Sequence, residues 1–294
     1  MKHFWRDILF TFLFGILCVI PYDLSTNLGK NEYTEKYQYV TQHRDEINTL
    51  IIGSSLSETG LNPFVIGDSV YNFGLPERTL FYDVALMEQL LPTMPNIKIV
   101  LYPLHYNLHL LDPAACDSTN RFNRLIFLYY RYMKVGKTES PQQLIYRSAL
   151  FSGHLNIRYC IDTELKYPFG YCKIDTSLCE DDENWANQNP PQQSDTSECI
   201  KLLSKLAEVC QEYNTRLIVF TPPFPDDYID EMTNDGRANL YQIIYSVKKK
   251  HPIEYLDYTD DIDFRDPSLY FNWNHLNHKG ATLFAQRIKE DFIL

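Results

Sequence analysis

The chain of 294 residues is long enough to bury one large core or two small ones, and its 45% hydrophobic and 22% charged content is that of a globular protein. Net charge is −11, and the one basic run, Lys248-Lys249-Lys250, closes an expected helix and complements its dipole rather than forming the phosphate-neutralising patch that nucleic acid requires, so no nucleic-acid partner is expected.

Lys2 and Arg6 precede an apolar run from Ile8 to Ile20, closed by Pro21. This is a charged n-region followed by an h-region. No small-x-small cleavage site follows, and Gly15-Ile16-Leu17-Cys18 lacks the small residue expected just before a lipidated cysteine. Residues 1–22 are therefore expected to be an uncleaved, single-pass signal anchor, with the globular part extracytoplasmic and the membrane a partner through this helix. Residues 23–46 read as a stalk and a first helix, and residues 47–294 as the main domain.

Asn48 to Gly53 is a continuous apolar run of strand length, as expected for a strand covered on both faces. Val70 to Phe73 is a second strand ending at Gly74. Arg78 to Leu91 places Leu80, Val84, Met87, Leu90 and Leu91 at helical spacing and stops at Pro92. Strands follow at Lys98–Tyr102, Arg216–Thr221 and Glu254–Asp257, with helices at Glu198–Tyr213, Arg237–Lys249 and His278–Ile293. The alternation predicts a three-layer α/β/α sandwich around a mainly parallel five-stranded sheet. Residues 108–194 break the rhythm. They read as a long insertion, a lid or a partner surface, with helical pieces at Phe122–Tyr132 and Gln142–Leu150.

Six cysteines lie beyond Cys18. Outside the cytosol an even number permits disulfides, Cys172 with Cys179 being the local pair; the alternative is that all are reduced. No Cys/His spacing suits zinc, and His105 and His109 lack a nearby carboxylate, so neither metal nor cofactor is expected.

Ser55 follows Gly53 at the C-terminal end of the first strand, where a helix start would leave backbone N–H groups near its hydroxyl. The plain alternative is a turn with an N-cap serine. Asn72-Phe73-Gly74 ends the next strand on the same edge, and a glycine there lets backbone approach a reacting oxygen. His275 sits in the polar run Asn272-Trp273-Asn274-His275-Leu276-Asn277, followed by Gly280-Ala281 and a helix, and is the candidate general base.

These segments resemble the SGNH/GDSL hydrolase superfamily, in the branch of membrane-anchored cell-envelope members that includes teichoic-acid D-alanyl transfer proteins and polysaccharide O-acetyltransferases. The similarity covers roughly residues 48–107 and 214–294. It implies that Gly53-Ser54-Ser55 carries the nucleophile, Ser55. It implies an oxyanion hole drawn from Ser55, Gly74 and Asn107, and that Asn272-x-x-His275-Leu276-Asn277 is the Asp-x-x-His block. An acylated glycan or another acyl ester is the substrate so implied.

Two departures stand out. Asn272 replaces the block's aspartate. The asparagine that normally follows the third strand has no clean match in Tyr102-Pro103-Leu104-His105-Tyr106-Asn107, where Asn107 or His105 is the available substitute. In a serine protease the aspartate-to-asparagine exchange lowers kcat by ~10⁴ through the wrong histidine tautomer. An asparagine carbonyl can still accept from a neutral histidine, and Asp263 or Asp266 could reach His275 instead. Two functions are thus expected: a membrane-anchored esterase or O-acyltransferase of cell-envelope polysaccharide, or a relative with a decayed site that binds glycan or an envelope-assembly partner.

Overall fold

The computed structural model describes residues 2–28, 32–76, 78–105, 168–175, 196–230 and 234–292. The helices expected at 122–132 and 142–150, and Asn107 and His109, lie outside these residues.

Five runs form one parallel sheet in the order β2-β1-β3-β4-β5: β1 (Thr49–Ile51), β2 (Val70–Asn72), β3 (Ile99–Pro103), β4 (Arg216–Thr221) and β5 (Glu254–Asp257). Register runs Ile51 to Leu101 to Ile218 across the middle. Those three residues pack with Phe220, Ala281, Phe284, Ala285 and Ile288 in a single apolar cluster. Leu50, Val100 and Val219 alternate with them and are equally buried, so the central strands are covered on both faces. That double burial is why these strands read as unbroken apolar runs rather than alternating ones.

The cluster is closed by α9 (His278–Phe292), which packs on the short helices α3 (Ser55–Gly60) and α4 (Pro63–Ile66). A second group joins α5 (Leu80–Leu90), α6 (Thr196–Glu212) and α8 (Asn234–Lys248). α6 buries Cys199, Leu202, Leu203, Leu206, Ala207 and Cys210, an apolar stripe at helical period. Cys210 is a free thiol, and Cys179 lies outside the described residues.

At the N-terminus α1 (Lys2–Leu28) belongs to a first unit, and the described residues from Lys36 onward to a second. α1 continues past residue 22. It exposes Phe4, Trp5, Phe10, Phe12, Phe14 and Leu17. Among the described residues no helix is long and apolar enough to cross a membrane, so the spanning helix expected of residues 1–22 is not found. α2 (Glu32–Gln42) is the helix expected before the domain.

Candidate active site

Ser55 and His275 are 220 residues apart, and the fold brings Ser55 Oγ within 2.7 Å of His275 Nε2. Two local devices achieve this. β1 ends in a turn at Gly53, whose φ of +116° lies where only glycine sits without strain. A Cβ there would also stand 2.8 Å from Ser57 Oγ and 3.0 Å from Pro103 Cδ. Ser54 then caps α3, its hydroxyl accepting from the Leu56 N–H, and Ser55 occupies the first helical position. Ser57 Oγ donates to Ile52 O at 2.5 Å, tying the helix back to the strand. Of the three neighbouring serines, Ser54 and Ser57 bond to local backbone. Ser55 alone of them reaches the histidine.

His275 is placed by a tight hairpin of β6 (Tyr270–Asn272) and β7 (His275–Leu276), in which Asn272 pairs with His275. Asn272 Oδ1 accepts the N–H of Asn274 at 3.2 Å and of His275 at 3.0 Å, an Asx-type turn that sets the three-residue spacing. The same oxygen lies 2.9 Å from His275 Nδ1. Two backbone donors force the amide to present oxygen, not nitrogen, to the ring. Nδ1 therefore carries the proton, and Nε2 faces Ser55 with a lone pair. This is the tautomer that a general base needs. The loss seen when a protease aspartate becomes an amide, which comes from the opposite tautomer, does not carry over to this arrangement. Burial pushes the His275 imidazole down to about 4, so it is neutral at ordinary pH.

Neither upstream aspartate reaches the histidine. Asp263 pairs with Arg287, and Asp266 accepts the N–H and hydroxyl of Ser268. His105 is buried with its Nε2 3.1 Å from Tyr228 Oη, so it does not replace the missing block asparagine. No cluster of His, Cys, Asp and Glu suited to a metal occurs among the described residues.

Gly74 requires a correction. Its N–H is already donated to Asn72 Oδ1 at 2.9 Å, so it is not free to hold an oxyanion. Asn72 is fully buried, and its Nδ2 donates to Ser57 O and Leu61 O, which locks the amide oxygen onto Gly74. Glycine is needed there for a different reason: an added Cβ would stand 2.4 Å from Glu58 N and 2.7 Å from Ser57 Cβ. Gly74→Ala is expected to destabilise the fold by about 2–3 kcal/mol through overpacking against α3. Urea denaturation measures this, and a loss under ~0.5 kcal/mol would contradict that close approach. The Ser55 N–H, the first of α3, has no intrahelical acceptor and is the remaining candidate donor for an oxyanion.

Two buried charge pairs went unnoticed in the sequence. Lys36 Nζ lies 3.2 Å from Glu58 Oε1 and donates to Gly74 O at 2.6 Å, joining α2, α3 and the loop after β2. Arg78 pairs with Asp83 at 2.7 Å. The readable signal was Asp83 itself, one turn after Leu80 and beside Val84, on the apolar stripe of α5. The segment 168–175 lies over the same region. Cys172 N–H donates to Glu58 O, and Tyr171 Oη lies 3.1 Å from His278 Nδ1.

No family model and no curated protein matches the chain. Among solved structures it is similar to the lipase/acylhydrolase from Enterococcus faecalis, at 11% identity over 84% of this chain and 95% of that one, with a TM-score of 0.43. It is also similar to a Streptococcus pneumonia structure described as a platelet activating factor, at 12% identity over 96% and 99%, TM-score 0.45. A Bacteroides fragilis structure described as an acylhydrolase matches at 8% identity over 87% and 95%, TM-score 0.46. The functional reading rests on the site's own geometry.

Proposed function

We propose that the chain is a serine esterase or acyltransferase of the SGNH type. The observation that carries this is one imidazole held between the Ser55 hydroxyl and the Asn272 carbonyl oxygen, in the base-ready tautomer. Ser55 Oγ attacks an acyl carbonyl carbon while its proton passes to His275 Nε2. The oxygen that becomes negative is met by the Ser55 N–H. Collapse expels the alcohol, which takes the proton from His275, and leaves an acyl-Ser55. Water or an acceptor hydroxyl then repeats the sequence in reverse. The test is covalent labelling of the full chain by a fluorophosphonate; a wild-type protein that fails to label removes this reading.

The finer reading is action on cell-envelope polysaccharide from a membrane-held position. It is supported by the sequence resemblance and by exposed rings such as Phe64 and Phe169, 4.9 Å apart and edge-to-face, of a kind that stacks on sugars. The exposed apolar residues of α1 support attachment to a membrane. Anionic phospholipid vesicles are expected to sediment with the chain, and replacing Phe10, Leu13, Phe14 and Leu17 by serine is expected to abolish this. Equal sedimentation of both forms would discard the attachment.

A second reading has its own support. The committed Gly74 N–H and the absent carboxylate fit a relative that binds glycan or an envelope-assembly partner without turnover. Labelling of Ser55 separates the two.

A further inference from the structure

Arg78 is 2% exposed and Asp83 0%, so both charges of the pair are inside the protein. Their contact, Arg78 Nε to Asp83 Oδ1 at 2.7 Å, is a buried ion pair. Among the described residues, Arg78 Nη1 and Nη2, Asp83 Oδ2 and the neighbouring Thr79 Oγ1 are buried without hydrogen-bond partners. A pair left this incomplete is a poor stabiliser, and apolar residues of the same volume would serve the fold as well or better. Stability does not account for it.

Its surroundings do. The oxygen that faces Arg78 also accepts the Gly53 N–H at 3.2 Å. Gly53 O accepts from the Leu75 N–H at 3.0 Å, and the Phe73 N–H donates to Ile51 O at 2.7 Å. Both polar groups of the Gly53 backbone are thus gripped by the segment 73–83. The Arg78 guanidinium carbon lies 5.0 Å from the centre of the Phe73 ring, which braces the pair against the same loop. Gly53 is the left-handed turn from which Ser54 caps α3 and Ser55 reaches His275. Burial pushes Asp83 up to about 6 against the downward pull of Arg78 and the Gly53 N–H.

We propose that Asp83 is a positioning residue for Ser55: its side-chain oxygen fixes the Gly53 peptide, and Arg78 is the counter-charge that a buried carboxylate requires. This rests on Ser55 being the nucleophile. The test compares the full-length wild type with Arg78→Met/Asp83→Leu and Arg78→Met/Asp83→Asn, reading fluorophosphonate labelling rate beside Tm. Replacing a buried ionic pair by an apolar one offsets the loss of an acceptor for the Gly53 N–H, so the Met/Leu protein is expected to keep its Tm to within a few degrees. It should label ~10²-fold more slowly, because the nucleophile turn has lost its anchor. The Met/Asn protein, which still offers Gly53 an acceptor, is expected to return to within about tenfold of wild type.

A Met/Leu protein that labels at the wild-type rate overturns the proposal and leaves the pair structural. A folded Met/Asn protein that is ~10²-fold slow overturns it too, and that arm stands even if the Met/Leu protein does not fold. A wild type that never labels overturns the nucleophile reading instead, and the proposal with it.

Discussion

Ser55→Ala is expected to lower turnover of an acetyl ester by a factor on the order of 10³ to 10⁶ and to abolish fluorophosphonate labelling. That corresponds to roughly 4–8 kcal/mol of transition-state stabilisation. The stability change should stay within about 0.5 kcal/mol, because Ser55 Oγ bonds only to the His275 ring and plays no part in capping α3. The two adjacent serines are the internal contrast. Ser54 caps the helix and Ser57 bonds Ile52 O from a fully buried position, so their loss acts on the fold. The measurement is initial rate against denaturation midpoint for the same variant. Turnover in Ser55→Ala within tenfold of wild type would remove Ser55 from the chemistry.

The sheet was legible because its strands are buried on both faces. Leu50-Ile51, Val100-Leu101 and Leu217 to Phe220 have no solvated side to interrupt the apolar run, and β5, at the edge, is correspondingly the most polar strand. The pairing of Ser55 with His275 was approachable for a related reason. The serine follows a strand at the sheet's C-terminal edge, and the histidine opens a short hairpin strand just before the last helix.

What sequence reading missed are contacts fixed by tertiary packing. Gly74 looked like an oxyanion donor by position, but its N–H belongs to an asparagine amide whose orientation depends on carbonyls of residues 57 and 61. Lys36 lies in a polar helix where a solvated lysine is the ordinary expectation, and nothing local marks it as buried. Asp83 was a missed clue rather than a hidden one, since a carboxylate on an apolar stripe needs a partner. Asn272 was read as a departure from the aspartate, with a carbonyl that could still accept from a neutral histidine. Its two backbone donors, visible only in the folded hairpin, turn it into a device that sets the histidine tautomer.

Asn272→Asp therefore tests what the amide lacks, which is charge. The Asx turn accepts either side chain, and the carboxylate would inherit three donors: the N–H groups of Asn274 and His275, and the ring Nδ1–H. In the wild type nothing negative among the described residues offsets the burial of the ring, and the imidazolium that must form as Ser55 loses its proton is disfavoured. An aspartate stabilises that ion in the transition state. Because the tautomer is already correct, the gain should be smaller than the ~10⁴ of the protease exchange. An increase in kcat of ~10² is expected, about 2.7 kcal/mol.

The pH profile gives the same argument a sign. The folded wild-type histidine titrates at about 4, below its ordinary value near 6.5, because burial disfavours the charged ring. Activity, which needs the neutral base, should hold down to about pH 4 and fall below it. The histidine's own contribution to stability is constant above about pH 6.5 and declines from there toward 4, where the unfolded chain binds the proton and the folded one does not, while Asp83, raised to about 6, contributes with the opposite sign over nearly the same range. In the Asn272→Asp protein the imidazolium gains a partner, so the acid limb should move upward and low-pH stability should improve. An unchanged limb together with an unchanged kcat would mean that His275 is not the base, whatever its distance from Ser55.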